Sequence, residues 1–358
     1  MNLSLVKINR ILLIRTSSFG DIILTTPLIR ALKASFPSAQ MDFFTKKQYQ
    51  SLLEHHPSVK VFGFDPEAGF FGLAKAIREL RAKKYDLVID LQVNPRSILI
   101  RYFSGARMQR RYRKYSLERR LLKWGINLLK STPPVAERYF SALEDFGIKP
   151  NGKGPEIFFS EKELSQAKQI LESAGLLGMP LIGLAPGASK FTKQWPAERF
   201  AKAGAALARE LFAGAVILGG KEDAGVAEEV RSGLQAQGVE KVKNLAGELS
   251  LLASSAVISR LKLLISNDSA LMHLATAVDT PVAAIFGATT RELGFFPYSR
   301  KARVLEINDL ECRPCSLHGE KNCPEKHFRC MLEIEPEQVV EAAKNLLEQF
   351  KDDGKGAL

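Results

Sequence analysis

Along the first half of the chain the apolar positions switch between two periods. Short runs rich in aliphatic and β-branched residues, Ile11 to Arg15, Met41 to Thr45, Val59 to Phe64 and Leu87 to Leu91, read as strands. Between them, Pro27 to Phe36, Leu73 to Lys83 and Pro134 to Phe146 carry apolar residues at spacings of three and four, the stripe of a helix lying on a sheet. A stretch rich in glycine and proline, Gly147 to Pro155, has no periodicity and marks the start of a linker. The rhythm then resumes. Leu181 to Ala185, Ala215 to Leu218, Leu263 to Ser266 and Val282 to Phe286 read as strands, with helices at Ala197 to Glu210, Ala224 to Gln237 and Ser269 to Val278. A final amphipathic helix, Pro336 to Phe350, is expected to pack back across the domain junction.

Strand–helix alternation of this kind predicts parallel sheets covered by helices. A chain of 358 residues also exceeds what one core usually supports. The expectation is an α/β protein of two Rossmann-like, doubly wound domains, residues 1–155 and 156–334, with the last helix in 335–358. Ligands of open parallel sheets bind outside the carboxyl ends of the strands, so two such domains facing each other would line a central cleft with the loops that follow strands.

Composition leaves this picture unchanged, since 46% hydrophobic and 25% charged residues are the balance of a globular protein. Charge adds to it. Lys and Arg outnumber Asp and Glu by 51 to 39, and the formal +12 favours an anionic partner. No nucleic-acid-binding motif accompanies that charge, which points instead to phospholipid or a phosphorylated sugar. No apolar run is long enough to cross a bilayer, and Arg15 and Asp21 interrupt the early segment Ile11 to Leu24 as a signal-peptide core, so a cytoplasmic protein is expected.

Three loops carry chemistry. In Arg15-Thr-Ser-Ser-Phe-Gly-Asp21, a strand-to-helix turn, Gly20 permits close approach of a ligand and Asp21 has the chemistry to accept a proton from an attacking hydroxyl. Asp21 would equally serve as a helix cap. The turn lacks the three glycines of a dinucleotide fingerprint, and no P-loop occurs anywhere. In Ala185-Pro-Gly-Ala-Ser-Lys-Phe-Thr-Lys-Gln-Trp-Pro196, Ser189, Thr192, Lys190 and Lys193 suit phosphate oxygens, the lysines offsetting charge on a departing diphosphate; a solvated basic loop is the alternative. In Ser266-Asn-Asp-Ser-Ala-Leu-Met-His273, a strand runs into a helix whose first N–H groups favour anions. There Asp268 would equally be an N-cap, and His273 a hydrogen-bonded residue on a buried face.

Two further clusters stand apart. Arg107, Arg110, Arg111, Arg113, Lys114, Arg119, Arg120 and Lys123 face only Glu118 as a local acid and suit a phosphorylated lipid headgroup; a solvated helix face is the alternative. The four cysteines, Cys312, Cys315, Cys323 and Cys330, have spacings that would enclose a structural tetrahedral zinc or iron, or else remain reduced structural thiols or close a late disulfide.

The segments ILLIRTSSFGDIILTTPLIRALKASFP, LAPGASKFTKQWPAERF and ISNDSALMHLATAVDTPVAAIFGATT, in this order, resemble the ADP-heptose:lipopolysaccharide heptosyltransferases of glycosyltransferase family 9, closest to heptosyltransferase II-like members, over most of the chain. The resemblance implies a GT-B fold, with the acceptor on the first domain and the nucleotide-sugar on the second. It implies that Asp21 is the general base and Lys193 the phosphate-binding lysine. Ser189, Thr192, Glu222, Asp268, Ser269, Ala270, Leu271 and His273 would meet the donor, with Ala270 standing where the family usually has glycine. Ser18, Gly20, Arg107, Arg110, Arg111, Arg113 and Arg120 would lie on the acceptor side. The implied reaction is inverting transfer of heptose from ADP-L-glycero-D-manno-heptose to the lipopolysaccharide inner core, with no cofactor, at the cytoplasmic surface of the inner membrane. A related transferase with another donor or a protein acceptor is one alternative, and a non-catalytic binder of glycolipid or nucleotide another. A binder would have no use for a base set against a leaving-group lysine.

Overall fold

The computed structural model describes residues 7–351, and within them the chain forms two compact units. One comprises the chain up to Ser116 together with Thr132–Phe158; the other comprises Leu117–Ser131 together with the chain from Phe159 onward.

The first unit is built on β1 (Arg10–Ile14), whose last four residues are all buried because parallel strands flank it on both sides. With β2 (Gln40–Lys46), β3 (Lys60–Phe64), β4 (Leu87–Asp90) and β5 (Met108–Arg111) it forms a parallel sheet of order β3-β2-β1-β4-β5. Its helices are α1 (Phe19–Ile23), α2 (Thr26–Ser35), α3 (Gly69–Ala82), α4 (Pro95–Phe103) and α6 (Val135–Arg138), the last tightening into 3-10 turns over Tyr139–Phe146. Alternate residues of the central strands, Leu12, Ile14 and Val88, meet Leu73, Ala76 and Leu80 of α3 and Ile100 of α4 in one cluster, as period-two strands packed on a helical stripe should.

The second unit holds α5 (Ser116–Leu122), of which all but the first residue belongs here, and α7 (Glu161–Ser173). Its sheet comprises β6 (Leu181–Ala185), β7 (Gly214–Ile217), β8 (Val242–Asn244), β9 (Leu263–Asn267), β10 (Val282–Phe286) and β11 (Ala302–Glu306), in the order β11-β10-β9-β6-β7-β8. The remaining helices are α8 (Ala197–Glu210), α9 (Ala224–Ala236), α10 (Leu251–Ile258), α11 (Ala270–Ala277), α12 (Arg329–Leu332) and α13 (Pro336–Gln349). Counted within the unit the order is 3-2-1-4-5-6, that of a dinucleotide-binding fold, and the switch point lies between β6 and β9. In the first unit it lies between β1 and β4.

The central strands and the long helices fall where the periodicity places them. The division differs from the expected boundary at 155/156 in two respects. Residues 156–158 stay with the first unit, because Glu156 takes the Arg30 guanidinium at 2.6 Å and its N–H donates to Thr26. Residues 117–131 join the second unit, where Asn127 bonds Glu292 and Arg119 lies over the Phe295 ring. The basic cluster is therefore no single helix face: Arg110 and Arg111 end strand β5, while Arg119, Arg120 and Lys123 belong to the other unit. The final helix α13 packs on α8, β10 and β11 of its own unit, burying Val339, Ala343 and Leu346.

Candidate functional site

At the carboxyl end of β1 the chain turns into α1, and Asp21 sits in the third position of that helix. Its carboxylate accepts the Ser18 N–H at 3.0 Å and the Ser18 hydroxyl at 2.6 Å, half of a capping box. The other oxygen faces the Arg15 guanidinium at 2.5 Å. Arg15, buried at the end of the strand, donates to the Leu91 carbonyl and lies over the Tyr139 ring. Burial by itself would raise the pKa of Asp21; the Arg15 charge and the Ser18 bonds outweigh it and hold the carboxyl below its ordinary value. Burial likewise opposes the charge on Arg15, yet Asp21 and the neighbouring tyrosines leave its pKa raised.

The turn is shaped from β4. Gln92 accepts the N–H groups of Thr16 and Ser17, and Asp90 accepts those of Gln92 and Val93 while taking the Ser97 hydroxyl at 3.0 Å. Asp21 thus closes the first turn of α1 and is held on both oxygens. Arg15, Asp90 and Gln92 received no role from sequence, although a charge ending an apolar strand is a readable signal for the first two.

In the second unit the loops after β6 and β9 meet at the switch point. Lys193 Nζ lies 2.7 Å from an Asp268 carboxylate oxygen, and the same oxygen accepts the Thr289 hydroxyl at 2.7 Å. Asn267 ties the loops together: its amide donates to the Pro186 carbonyl and its oxygen accepts the Trp195 N–H. Ser269 caps α11 through its extended backbone and lies 3.2 Å from the Ser266 hydroxyl. Ala270 and Leu271 are half-buried at the opening of α11, and His273 is buried one turn further on. Ser189 is exposed, whereas Thr192 is buried and engages Glu320 through both its N–H and its hydroxyl.

The loop after β7 supplies Glu222, which is exposed, and Asp223, which the sequence reading passed over. Asp223 accepts the Gly220 N–H at 2.8 Å and packs so closely on Gly187 that a Cβ there would fall 2.1 Å from its carboxyl carbon. Only glycine allows that approach. Burial raises the Asp223 pKa; the Gly220 N–H opposes this and Glu222 adds to it.

The cysteine segment packs against these loops. All four cysteines are free thiols, and among the described residues no three His, Cys, Asp or Glu side chains gather to hold a metal ion. Burial pushes the Cys330 thiol up to about 12. The segment clamps the loops just described. Arg313 donates to the carbonyls of Gly287 at 2.6 Å, Thr289 at 2.9 Å and Ile307, and pairs with Glu306 at 2.7 Å. Gly319 lies against the aliphatic stem of Lys193, and Phe328 stacks on Phe191.

Of the basic residues, Arg110 pairs with Asp145 at 3.0 Å, Arg113 with Glu144 at 3.2 Å, and Lys114 donates to the Val93 carbonyl. Arg107, Arg111 and Arg120 are exposed.

Two Rossmann-like units, each with its polar loops at the switch point of a parallel sheet, are the architecture of GT-B glycosyltransferases. Residues 73–328 match glycosyltransferase family 9 (heptosyltransferase), and the chain belongs to that family. It is similar to lipopolysaccharide heptosyltransferase 2 of Salmonella typhimurium, with 28% identity over 95% of this chain and 99% of the relative. Among solved structures, the family 9 glycosyl transferase of Veillonella parvula superposes with a TM-score of 0.81 at 27% identity, covering 96% of this chain and 98% of that one. ADP-heptose lps heptosyltransferase II of E. coli does so at 0.74 and 26%, covering 96% and 99%.

Proposed function

We propose that the protein is an inverting heptosyltransferase that moves heptose from ADP-L-glycero-D-manno-heptose to the inner core of lipopolysaccharide, at the cytoplasmic face of the inner membrane. The observation that carries this reading is the Lys193–Asp268 pair at the β6/β9 switch point, a cation already held where an open parallel sheet binds a diphosphate. Near-complete coverage of the heptosyltransferase 2 relatives supports the choice of heptose and of a lipopolysaccharide acceptor.

In this scheme Asp21 removes the proton from an acceptor hydroxyl as that oxygen attacks the anomeric carbon from the face opposite ADP, and the bond to ADP breaks in the same step. Lys193 and the N–H groups opening α11 offset the charge growing on the diphosphate, so no cofactor enters. Glu222 is placed to meet the ribose, and Ser189, Ser269, Ala270, Leu271 and His273 contribute to the donor pocket, with Thr192 acting through the loop it anchors. Ser18 and Gly20 border the acceptor hydroxyl, and Arg107, Arg111 and Arg120, with Arg110 and Arg113, attract its phosphates.

Melting of the purified protein with ADP-, UDP- and GDP-sugars tests the donor. ADP-heptose at 100 times its Kd should stabilise the fold by about 2.7 kcal/mol, and the others by far less. A preference for UDP- or GDP-sugars would overturn the assignment.

A further inference from the structure

Apart from Arg120, the side chains of residues 117–131 have no part in the transfer reaction. Leu117 is 66% exposed, Trp124 79%, Ile126 49% and Leu128 62%, while Leu122 and Leu129 between them are buried at 4% and 0%. Four large apolar side chains facing water within one short segment exceed the scattered exposure expected of a surface. Backbone turns fix their positions. After α5 the N–H groups of Trp124 and Ile126 both return to the Leu121 carbonyl, and that of Gly125 to Leu122, with Gly125 in the left-handed region at φ +80°. The Leu129 N–H closes a second turn on the Asn127 side chain, which itself bonds Glu292. The turns thus leave these apolar side chains facing water.

Their neighbours set the chemistry of what covers them. Arg120, Lys123 and Lys130 are exposed in the same segment, and the segment's one acid is Glu118. Apolar side chains interleaved with cations, one of them a tryptophan with its polar N–H at the rim of an apolar ring, match a bilayer interface, where the rings sit at headgroup depth and the cations meet lipid phosphates. No helix in the described residues is long and apolar enough to cross a membrane, so the match is to the surface.

We propose that residues 117–131 dock the protein on an anionic phospholipid bilayer, with Trp124 and Leu128 entering the interface and Lys123 and Lys130 contacting headgroups. This deepens the functional reading and rests on it in one respect, that the acceptor is anchored in the same bilayer.

The chain carries its own probe. Its two tryptophans are Trp124, exposed, and Trp195, 1% exposed with its ring N–H on the Ile334 carbonyl. Mixing the full-length protein with vesicles of phosphatidylglycerol and phosphatidylcholine at low salt should sediment it with the lipid and shift its emission to the blue. Phosphatidylcholine alone should do neither. Trp124→Ser with Leu128→Ser should lower partitioning roughly tenfold or more, and Lys123→Gln with Lys130→Gln roughly tenfold, with melting temperature retained because these side chains are exposed. Failure of the wild-type protein to bind, unchanged emission on binding, or unchanged binding by the serine pair would each overturn the surface. So would a protein that is dimeric in solution and becomes monomeric in the serine pair with vesicle binding intact, since the patch would then join two copies. The serine pair should still transfer heptose to a water-soluble core fragment. A wild-type protein that inserts Trp124 yet transfers no heptose would overturn the transfer reading and leave the surface standing.

Discussion

Asp21 is held by Arg15 on one oxygen and by Ser18 on the other, so its two possible duties, capping α1 and taking a proton, draw on one geometry. Asp21→Asn preserves the size of the side chain and removes the base. Transfer should fall roughly 10²- to 10⁴-fold while ADP binding is unchanged, and a comparison of kcat with ADP affinity checks both; retained turnover would reduce Asp21 to a cap. The pairing also fixes a pH dependence. A carboxyl whose folded pKa is lowered is ionised through the neutral range, and both its base form and the stability of the ion pair are lost as pH falls through that lowered value. Arg15→Gln removes the outweighing charge, leaving burial to push the carboxyl up, so the acidic limb of the kcat/KM profile should move towards neutrality. A limb that stays in place would show that Arg15 does not position the base. A moved limb would show Arg15 acting on the reaction through Asp21, an effect that loss of folding alone would not produce.

Which elements were legible in the sequence follows from their place in the sheets. Strands β1, β4, β6, β9 and β10 are buried throughout, Arg10 apart, and read as apolar runs, whereas β5, β8 and β11, at sheet edges, are only partly buried and left no such signal; the edge strand β3 was legible because its Val61, Phe62 and Phe64 still form an apolar run. Met-Gln-Arg-Arg in β5 is half-exposed, so its arginines read as part of a basic cluster for a lipid headgroup and not as a strand. Helix α10 was missed for the opposite reason: Leu252 through Ile258 are all buried, and a helix apolar on every side has no stripe. At the site, the motif residues Asp21, Lys193 and Asp268 were legible because they follow strands, but what holds them was not, because Asn267, Thr289 and Arg313 act over long sequence separations. Arg313 makes the clearest test at this scale. Its planar fork serves three carbonyls and Glu306 at once, a set that an ammonium cannot match. Arg313→Lys should lower both the melting temperature and ADP affinity, since the Thr289 that holds Asp268 loses its backbone tie; Arg313→Ala should cost about 3–5 kcal/mol by leaving Glu306 without its partner. Urea unfolding and ADP titration read the two effects, and an unchanged ADP affinity would confine Arg313 to stability.

Each unit of the molecule repeats one plan, a parallel sheet wound in opposite senses from a central pair of strands, and each puts different chemistry at its switch point. The first unit offers the buried Arg15–Asp21 pair and the Gln92 turn, suited to orienting a hydroxyl. The second offers Lys193, exposed Glu222 and the opening of α11. Nucleotide and acceptor should accordingly address different units, and the chain path sharpens the point: residues 117–131 leave the first unit to complete the second, so cutting at 155/156 would strip the second of the buried Leu122 and Leu129. The intact chain is thus the proper object for mapping. With ADP alone, amide exchange should slow in the loops after β6, β7 and β9, at residues 186–193, 219–223 and 268–273, and stay unchanged at 15–24 and 90–94. Ligand contact and the ordering of the loops that Asn267 ties together both act to suppress local opening there. Protection appearing at 15–24 instead would move the nucleotide to the first unit and invert the assignment of donor and acceptor, whatever the fate of the individual contacts.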